Sequence, residues 1–153
     1  MRLTSFTDYG LRLLMRMAGE PDRLFTTQAL AQELDVSRHH LVKVVRELAR
    51  AGVLGTRKGA AGGIFLVQPA ETLRLGALVR LLEGRSVLVE CFRPRDAHCP
   101  LLPACLLRAR LADAREAFFA ELDKTTLADC ALPAALQERF DPDAGKSSHR
   151  TRA

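Results

Sequence analysis

Two short helical patterns joined by a tight turn constrain the fold of this chain more than any other feature. The first covers residues 28–34, the second covers residues 38–51, and Asp35 and Val36 lie between them. Ser37 precedes the second pattern, where serine is a favoured helix N-cap. The second pattern carries one apolar stripe, formed by Leu41, Val44, Val45 and Leu48. This arrangement predicts a helix-turn-helix, whose second helix enters the major groove of DNA.

A glycine-rich hairpin follows the second helix directly. Residues 53–56 and 63–67 are short runs typical of β-strands, and residues 57–62 between them read R-K-G-A-A-G. The hairpin is predicted to be the wing of a winged helix, with Arg57 and Lys58 near phosphates or the minor groove. A nucleotide-binding phosphate loop is excluded, because neither the required lysine nor a helix follows the last glycine.

Most of the net charge of the chain lies in this same region. The formal net charge is +5, and residues 35–63 contribute +4, from six Lys or Arg against Asp35 and Glu47. A local basic patch predicts a polyanionic partner, here double-stranded operator DNA, and a solvated charged face is the alternative. His39 and His40 are predicted either to contact DNA or to be exposed to solvent without a functional role. The candidate DNA-contacting residues are Ser37, Arg38, His39, His40, Lys43, Arg57, Lys58 and Gly59.

An earlier helical pattern begins near an acidic residue. Ser5 to Asp8 has the S-x-x-D form of a capping box, with Thr7 or Asp8 as alternative caps. The pattern continues to about Met17. Its apolar stripe consists of Leu11, Leu14, Met15 and Ala18. The residues alone favour a role for Asp8 as a helix cap, because the helix dipole attracts a carboxylate to this end.

Three of the four cysteines, Cys91, Cys99 and Cys105, lie within fifteen residues that also contain three prolines. Proline fixes φ and lacks an N–H, so this stretch is predicted to be an irregular loop. Thiolates are soft ligands suited to zinc or to iron–sulfur clusters. The paired C-x2-4-C spacing of structural zinc is absent, and wider gaps favour a cluster. A disulfide would leave one of three thiols unpaired, and ordinary buried thiols are the remaining alternative.

A long helical pattern without glycine or proline covers about residues 104–122, after a shorter one at residues 75–83. Apolar residues recur along it at steps close to a heptad seam, at Leu107, Leu111, Ala114, Phe118 and Leu122. Phe119 lies off this seam and adds further apolar surface. This surplus of apolar surface on the long helix predicts a homodimer. The alternative is that the surface packs within the same chain.

These patterns predict a mainly α fold with a small β-hairpin wing, that is, a winged helix-turn-helix plus a long dimerisation helix. The expected parts are a DNA-binding domain at 1–69, a connecting helix and cluster-binding loop at 70–106, a dimerisation helix and short C-terminal helix at 104–132, and a disordered tail at 141–153. Thr126 to Asp129 is expected to cap the short helix, where Cys130 is expected to be a packed thiol.

Several functional classes are disfavoured by what the sequence lacks. No apolar run approaches the roughly 20 residues of a membrane span, and the start has no apolar signal-peptide core. A cytoplasmic protein without a membrane partner is therefore expected. Motifs of metalloproteases, serine hydrolases and kinases are absent, so an enzyme is not expected.

Five stretches together match one family. They are M-R-L-T-S-F-T-D-Y-G-L-R at the start, V-S-R-H-H-L-V-K-V-V in the recognition helix, R-K-G-A-A-G-G-I in the wing, the three cysteines, and T-L-A-D near the end. Over about residues 1–130 the chain resembles the iron–sulfur winged-helix repressors, which include IscR, and most closely the nitric-oxide sensors of the NsrR type. The resemblance implies a homodimer on a palindromic operator, with a [4Fe–4S] or [2Fe–2S] cluster held by Cys91, Cys99 and Cys105. It also implies repression that ends when nitric oxide destroys the cluster.

Three thiolates leave one position of such a cluster without a protein ligand. The candidate fourth ligands in the sequence are His98, Asp96, Glu90, Cys130 and Asp8. The resemblance implies Asp8, donated by the opposite subunit. Where IscR-like members have a histidine ligand, this chain has Arg108. The alternative functions are an IscR-like regulator of cluster assembly, a zinc-dependent or thiol-based repressor, and a small iron–sulfur electron-transfer protein.

Overall fold

The computed structural model describes residues 2–59, 62–84, 86–93 and 99–132, and shows five helices and one hairpin within them. The helices are α1 (Ser5–Ala18), α2 (Thr27–Glu33), α3 (Arg38–Arg50), α4 (Leu75–Glu83) and α5 (Leu106–Leu122). The strands are β1 (Leu54–Arg57) and β2 (Gly63–Leu66). Single 3₁₀ turns lie at Ala70–Thr72, Glu90–Phe92, Leu102–Ala104 and Ala128–Cys130. The predicted mainly α fold with a small hairpin is confirmed; the predicted tail at 141–153 lies outside the described residues.

None of the helices in the described ranges is both long and apolar enough to cross a lipid bilayer.

Helix α1 lies at the centre of the packing. Leu13, Leu14 and Met17 are at most 1% exposed, whereas Leu11 and Met15 are only half-buried. The predicted stripe was therefore wrong about which residues lie deepest. The reason is that α1 is covered from several sides, by α3, by α4 and by the last 3₁₀ turn, so its buried face is wider than one helical stripe.

Thr4, not the predicted S-x-x-D box, caps the start of α1. The Thr4 side chain accepts a hydrogen bond from the backbone N–H of Thr7, with N and Oγ1 3.2 Å apart. Asp8 lies in the first turn of the helix, one turn beyond the cap. The cap position moved because the backbone is already extended at Thr4 and helical from Ser5 onward.

The helix-turn-helix and the wing have the predicted order. Asp35, in the turn between α2 and α3, has φ of 50°, a left-handed conformation that aspartate tolerates better than most residues. Strands β1 and β2 are antiparallel, and Arg57 pairs with Gly63 at the last position of the ladder. Phe25 adds a short bridge to Ile64 through two backbone hydrogen bonds of 2.7 and 3.0 Å. This bridge joins the base of the wing to the segment before α2.

Helix α5 packs on α4 through close backbone contact. A Cβ on Gly76 would lie 2.2 Å from the carbonyl oxygen of Phe119, so only glycine fits there. Asp123 accepts a hydrogen bond of 2.9 Å from the N–H of Ala77 in the first turn of α4. Phe119, predicted to be surplus apolar surface, is 1% exposed and lies under the guanidinium of Arg80. That expectation was wrong, because α4 covers this face of α5.

The described residues leave the rest of the predicted seam on α5 partly exposed. Leu107 is 65% exposed, Ala114 is exposed, and Leu111, Phe118 and Leu122 are half-buried. The helix begins at Leu106, two residues later than predicted, because the Leu102–Ala104 turn precedes it. The expected contact between Thr126 and Asp129 is present, as three hydrogen bonds of 2.7 to 3.2 Å, but the short helix predicted after it is a single 3₁₀ turn.

Candidate nucleic-acid interface and cysteine segment

Helix α3 separates a buried face from a basic outer face. Its apolar stripe lies in the core, with Leu41, Val44, Val45 and Leu48 at most 8% exposed, as predicted. The candidate DNA-contacting residues on this helix and just before it are all exposed: Ser37, Arg38, His39, His40 and Lys43. Ser37 occupies the N-cap position, but its side chain makes no capping hydrogen bond to the described residues. The outer face therefore offers a hydroxyl, two imidazoles and two cations to a ligand.

One aromatic contact holds the start of this face against α1. The rings of Tyr9 and His40 are stacked, with centroids 6.2 Å apart and planes inclined by 21°. His39 is tilted against His40 with centroids 6.1 Å apart. Tyr9 itself packs against the core. The orientation of His40 is thus coupled to α1, the helix that carries Asp8.

The wing adds a second cluster of positive charge. Arg57 ends β1 and Lys58 follows it, and both are exposed. Gly59 has φ of 112°, a conformation that glycine adopts without strain, and its carbonyl accepts a 2.9 Å hydrogen bond from Gly62. Ala60 and Ala61 at the tip lie outside the described residues. The described part of the wing therefore presents two exposed cations beside a glycine turn.

The three clustered cysteines lie on the irregular segment between α4 and α5. Cys91 is half-buried in the Glu90–Phe92 turn, Cys99 is exposed, and Cys105 is half-buried directly before α5. All four cysteines have free thiols. In the described part of the single chain, no three Cys, His, Asp or Glu side chains are close enough to form a metal site. The predicted candidates Asp96 and His98 lie outside the described residues.

The chemistry of these donors fits a cluster, although the described residues of a single chain do not assemble them into a site. Free, partly exposed thiols are the soft ligands that iron–sulfur clusters take. Arg108 lies over the ring of Phe92 at 5.7 Å, and its Nε donates to the carbonyl oxygen of Cys91 at 3.4 Å. This contact ties the first turn of α5 to the first cysteine.

Among the predicted fourth ligands, Asp8 and Glu90 each have a cationic partner. Asp8 pairs with Arg12 through two contacts, 2.9 Å to a terminal nitrogen and 3.1 Å to Nε, and its side chain is 46% exposed. Glu90 pairs with Arg93 at 3.1 Å. Cys130 is half-buried in the last 3₁₀ turn. Because Thr4 provides the helix cap, the role of Asp8 as a cap is excluded.

A buried carboxylate that sequence reasoning missed connects the start of α1 to the end of α4, the helix that precedes the cysteine segment. Glu83, in the last turn of α4, is 6% exposed and accepts hydrogen bonds from the N–H of Thr4 at 2.7 Å and its hydroxyl at 3.0 Å. Burial alone raises the pKa of Glu83, but hydrogen bonds from Thr7, Thr4 and Ser86 outweigh it and lower the pKa below 4.5. One feature of the sequence could have indicated this contact. A glutamate at a helix C-terminus is repelled by the helix dipole, so its presence there indicates that another group binds it.

Comparisons with known proteins agree with this architecture. A family model described as Rrf2, iron-dependent transcriptional regulator, matches residues 3–132. Oxidized CymR of Staphylococcus aureus has a TM-score of 0.64 and 29% identity, over 86% of this chain and 96% of that one. CymR of B. subtilis, described as the global cysteine regulator of that organism, has a TM-score of 0.65 and 25% identity, over 86% and 96%. IscR of T. potens shares the fold, with a TM-score of 0.66 and 18% identity, over 91% and 88%.

The family match includes the helix-turn-helix, the wing, the cysteine segment and α5, and the winged helix exposes the basic face that DNA binding requires. This chain therefore belongs to the Rrf2 family of DNA-binding transcriptional regulators.

Proposed function

We propose that this protein is a repressor of the NsrR type, which binds operator DNA as a homodimer with an intact iron–sulfur cluster and releases it in response to nitric oxide. One observation carries the proposal. Within an Rrf2 winged helix, three free thiols lie on the irregular segment between α4 and α5. Helix α4 packs on α1, and α5 carries the partly exposed apolar seam. The proposed sensor segment is therefore joined directly to the proposed pairing helix and, through α4 and α1, to the proposed DNA-reading helix α3.

The DNA contacts are proposed to come from two places on each subunit. The start of α3 enters the major groove and presents Arg38, His39 and Lys43, which are exposed, while the core holds the opposite side of the helix. Arg57 and Lys58 of the wing contact phosphates or the adjacent minor groove. Two such modules related by a two-fold axis would read the half-sites of a palindromic operator.

The second subunit is proposed to pack along α5. Leu107 and Leu106 are 65% and 68% exposed, and Leu111, Phe118 and Leu122 are half-buried, so the helix retains an apolar strip after packing on α4. Large exposed apolar patches on a folded chain mark interaction surfaces. A two-fold pairing of identical helices would bury the same strip on both subunits.

Cys91, Cys99 and Cys105 are the residues proposed to hold the cluster, with Asp8 of the opposite subunit as the fourth ligand. When bound, the cluster supplies iron that reacts with nitric oxide. A carboxylate is a harder ligand than a thiolate and holds such iron less strongly. To serve as a ligand, Asp8 must give up its ion pair with Arg12. This pair lies on the surface, where an ion pair contributes about 0–1 kcal/mol, so breaking it costs little free energy.

Anaerobic purification followed by a visible spectrum and by iron and sulfide assays tests the cofactor. Operator binding is then measured before and after addition of nitric oxide. A coloured protein whose colour and operator affinity both fall on addition of nitric oxide supports the proposal. A colourless protein that contains zinc and binds the operator equally well with and without nitric oxide contradicts it. Cys99→Ser should lose colour and operator binding together, whereas Cys130→Ser should keep both.

A thiol-based regulator is the second candidate, supported by the two CymR structures and the four free thiols. In that case a mild oxidant would change operator affinity in protein that contains no iron, and nitric oxide would have no separate effect. Measuring thiol content and operator affinity in metal-free protein distinguishes this function from the first. An IscR-like regulator of cluster assembly would bind a cluster but would respond to its supply and not specifically to nitric oxide.

A further inference from the structure

A concave groove of about 850 Å³ lies between the recognition helix and the segment that leads into the cysteines. The apolar residues that line it, called its floor here, are Phe6 from α1, Leu81 and Leu82 from α4, and Val87, and all four are buried or half-buried. Its size falls within the roughly 300–1,000 Å³ of pockets that bind small molecules. Of the residues proposed above to contact DNA, to hold the cluster or to pair the subunits, only Lys43 lines this groove.

The rim of the groove is positively charged. Four cations and two carboxylates line it, which leaves a net charge of +2. The two carboxylates are already paired, Glu47 with Arg50 at 3.2 Å and Glu90 with Arg93 at 3.1 Å. The other two cations are Lys43 and Arg46 on α3. Both are exposed, and neither has an ion-pair partner among the described residues.

We propose that this groove binds a small amphiphilic carboxylate, with the carboxylate at Lys43 and Arg46 and the apolar body on Phe6, Leu81 and Val87. Lys43 and Arg46 are three residues apart on α3 and therefore point to the same side, which suits one anionic head. An organic anion with an apolar body is the ligand that matches both the charged rim and the apolar floor.

Two other occupants match the groove less well. Phosphates of DNA would engage the rim, but contacts to phosphates are polar and would leave the apolar floor uncovered. A second copy of the chain is proposed to pack along α5 and to reach the cluster through Asp8, and neither Asp8 nor any described residue of α5 lines the groove. Because Lys43 also belongs to the proposed DNA contacts, a bound carboxylate would lower operator affinity. This effect on operator affinity rests on the proposed function, whereas the proposal that the groove binds a carboxylate does not.

A single-tryptophan variant tests the site directly, because the chain has no tryptophan. In Val87→Trp, titration with sodium decanoate should change the fluorescence in a saturable way. Val67→Trp is the matched control: this valine is 52% exposed at the end of the hairpin and does not line the groove, so no saturable change is expected. Calorimetric titration of the unaltered full-length protein gives the Kd independently of either variant.

Charge variants then identify the head-group site. Replacing both Lys43 and Arg46 by alanine should weaken decanoate binding at least about tenfold, because the charge-assisted contacts are lost. Arg110→Ala removes an exposed cation on α5 and should leave the Kd unchanged. Circular dichroism confirms that each variant is folded. Operator titration of the unaltered protein with saturating decanoate should show weaker binding.

Any of four binding results would overturn the inference: no saturable binding by calorimetry, an equal response in Val67→Trp, equal binding of uncharged decanol, or an unchanged Kd in the double variant. Dissociation of the homodimer by decanoate in sedimentation would also overturn it, since the groove would then be an interface between copies. Decanoate binding with unchanged operator affinity would overturn the effect on DNA binding. A parent protein that binds decanoate but no operator would contradict the proposed function and leave the site intact.

Discussion

Removing the carboxylate of Glu83 should destabilise the protein far more than removing an exposed glutamate. Glu83 accepts two hydrogen bonds from Thr4 and is 6% exposed, so Glu83→Ala removes the acceptor that two half-buried donors at the N-cap of α1 share. A hydrogen bond to a charged group contributes roughly 1.5–3 kcal/mol, and the two share one acceptor, so a loss of about 2–4 kcal/mol is expected.

Glu116→Ala is the matched control. Glu116 is 59% exposed and pairs with Arg80 at 2.6 Å on the surface, so its loss should cost about 0–1 kcal/mol. Urea unfolding followed by circular dichroism, at one fixed protein concentration, gives both free energies. If Glu83→Ala and Glu116→Ala differ by less than about 0.5 kcal/mol, the contact between Glu83 and Thr4 does not stabilise the fold as argued.

The pH dependence of stability provides a second test of the same contact. The pKa of Glu83 is lowered in the folded state, so its stabilising contribution is complete above its ordinary value of 4.5 and is lost as the pH falls through the lower folded-state pKa. Glu83→Gln cannot titrate there. The unaltered protein should therefore lose stability on acidification below about pH 4.5 more steeply than Glu83→Gln. Parallel curves for the two proteins would contradict this assignment.

Three further predictions concern the proposed function. Arg38→Ala and Lys58→Ala should each lower operator affinity, and loss of one phosphate contact should reduce the slope of log affinity against log salt by about one unit; unchanged affinity in both would contradict the proposed interface. Asp8→Ala should keep a cluster but change its spectrum and its rate of reaction with nitric oxide; identical spectra and rates would show that Asp8 is not a ligand. Leu111→Lys should shift the protein towards monomer in sedimentation, because a charge would enter the proposed apolar strip, and an unchanged dimer would exclude that strip as the interface.

Local patterns predicted α3 and the wing well because both depend on short-range chemistry. The spacing of Leu41, Val44, Val45 and Leu48 matches the helical repeat, and all four residues lie in the core. The glycines between the strands predicted a hairpin, and Gly59 adopts the positive φ expected of such a turn. The order of the elements also follows from periodicity and from the residues that interrupt it.

Other features were decided by contacts between distant parts of the chain. Phe119 looked like surplus surface from its position on α5, but the close approach permitted by Gly76 buries it against α4. Glu83 looked like an ordinary charged residue at a helix end, yet Thr4 lies 79 residues away in sequence and binds it. Asp8 was predicted to cap α1, but the extended backbone at Thr4 makes Thr4 the cap, one turn earlier.

The sequence by itself therefore determined the family, the order of helices and strands, the basic recognition helix and the three thiols between α4 and α5. Each of these depends on residue type and on spacing along the chain. Only the tertiary structure decided which side of α1 lies deepest, which carboxylate is buried, and that a charged groove lies between α3 and the cysteine segment. Those features depend on which surfaces meet in space, and burial and hydrogen bonding across long sequence separations leave little periodic signal in a single sequence.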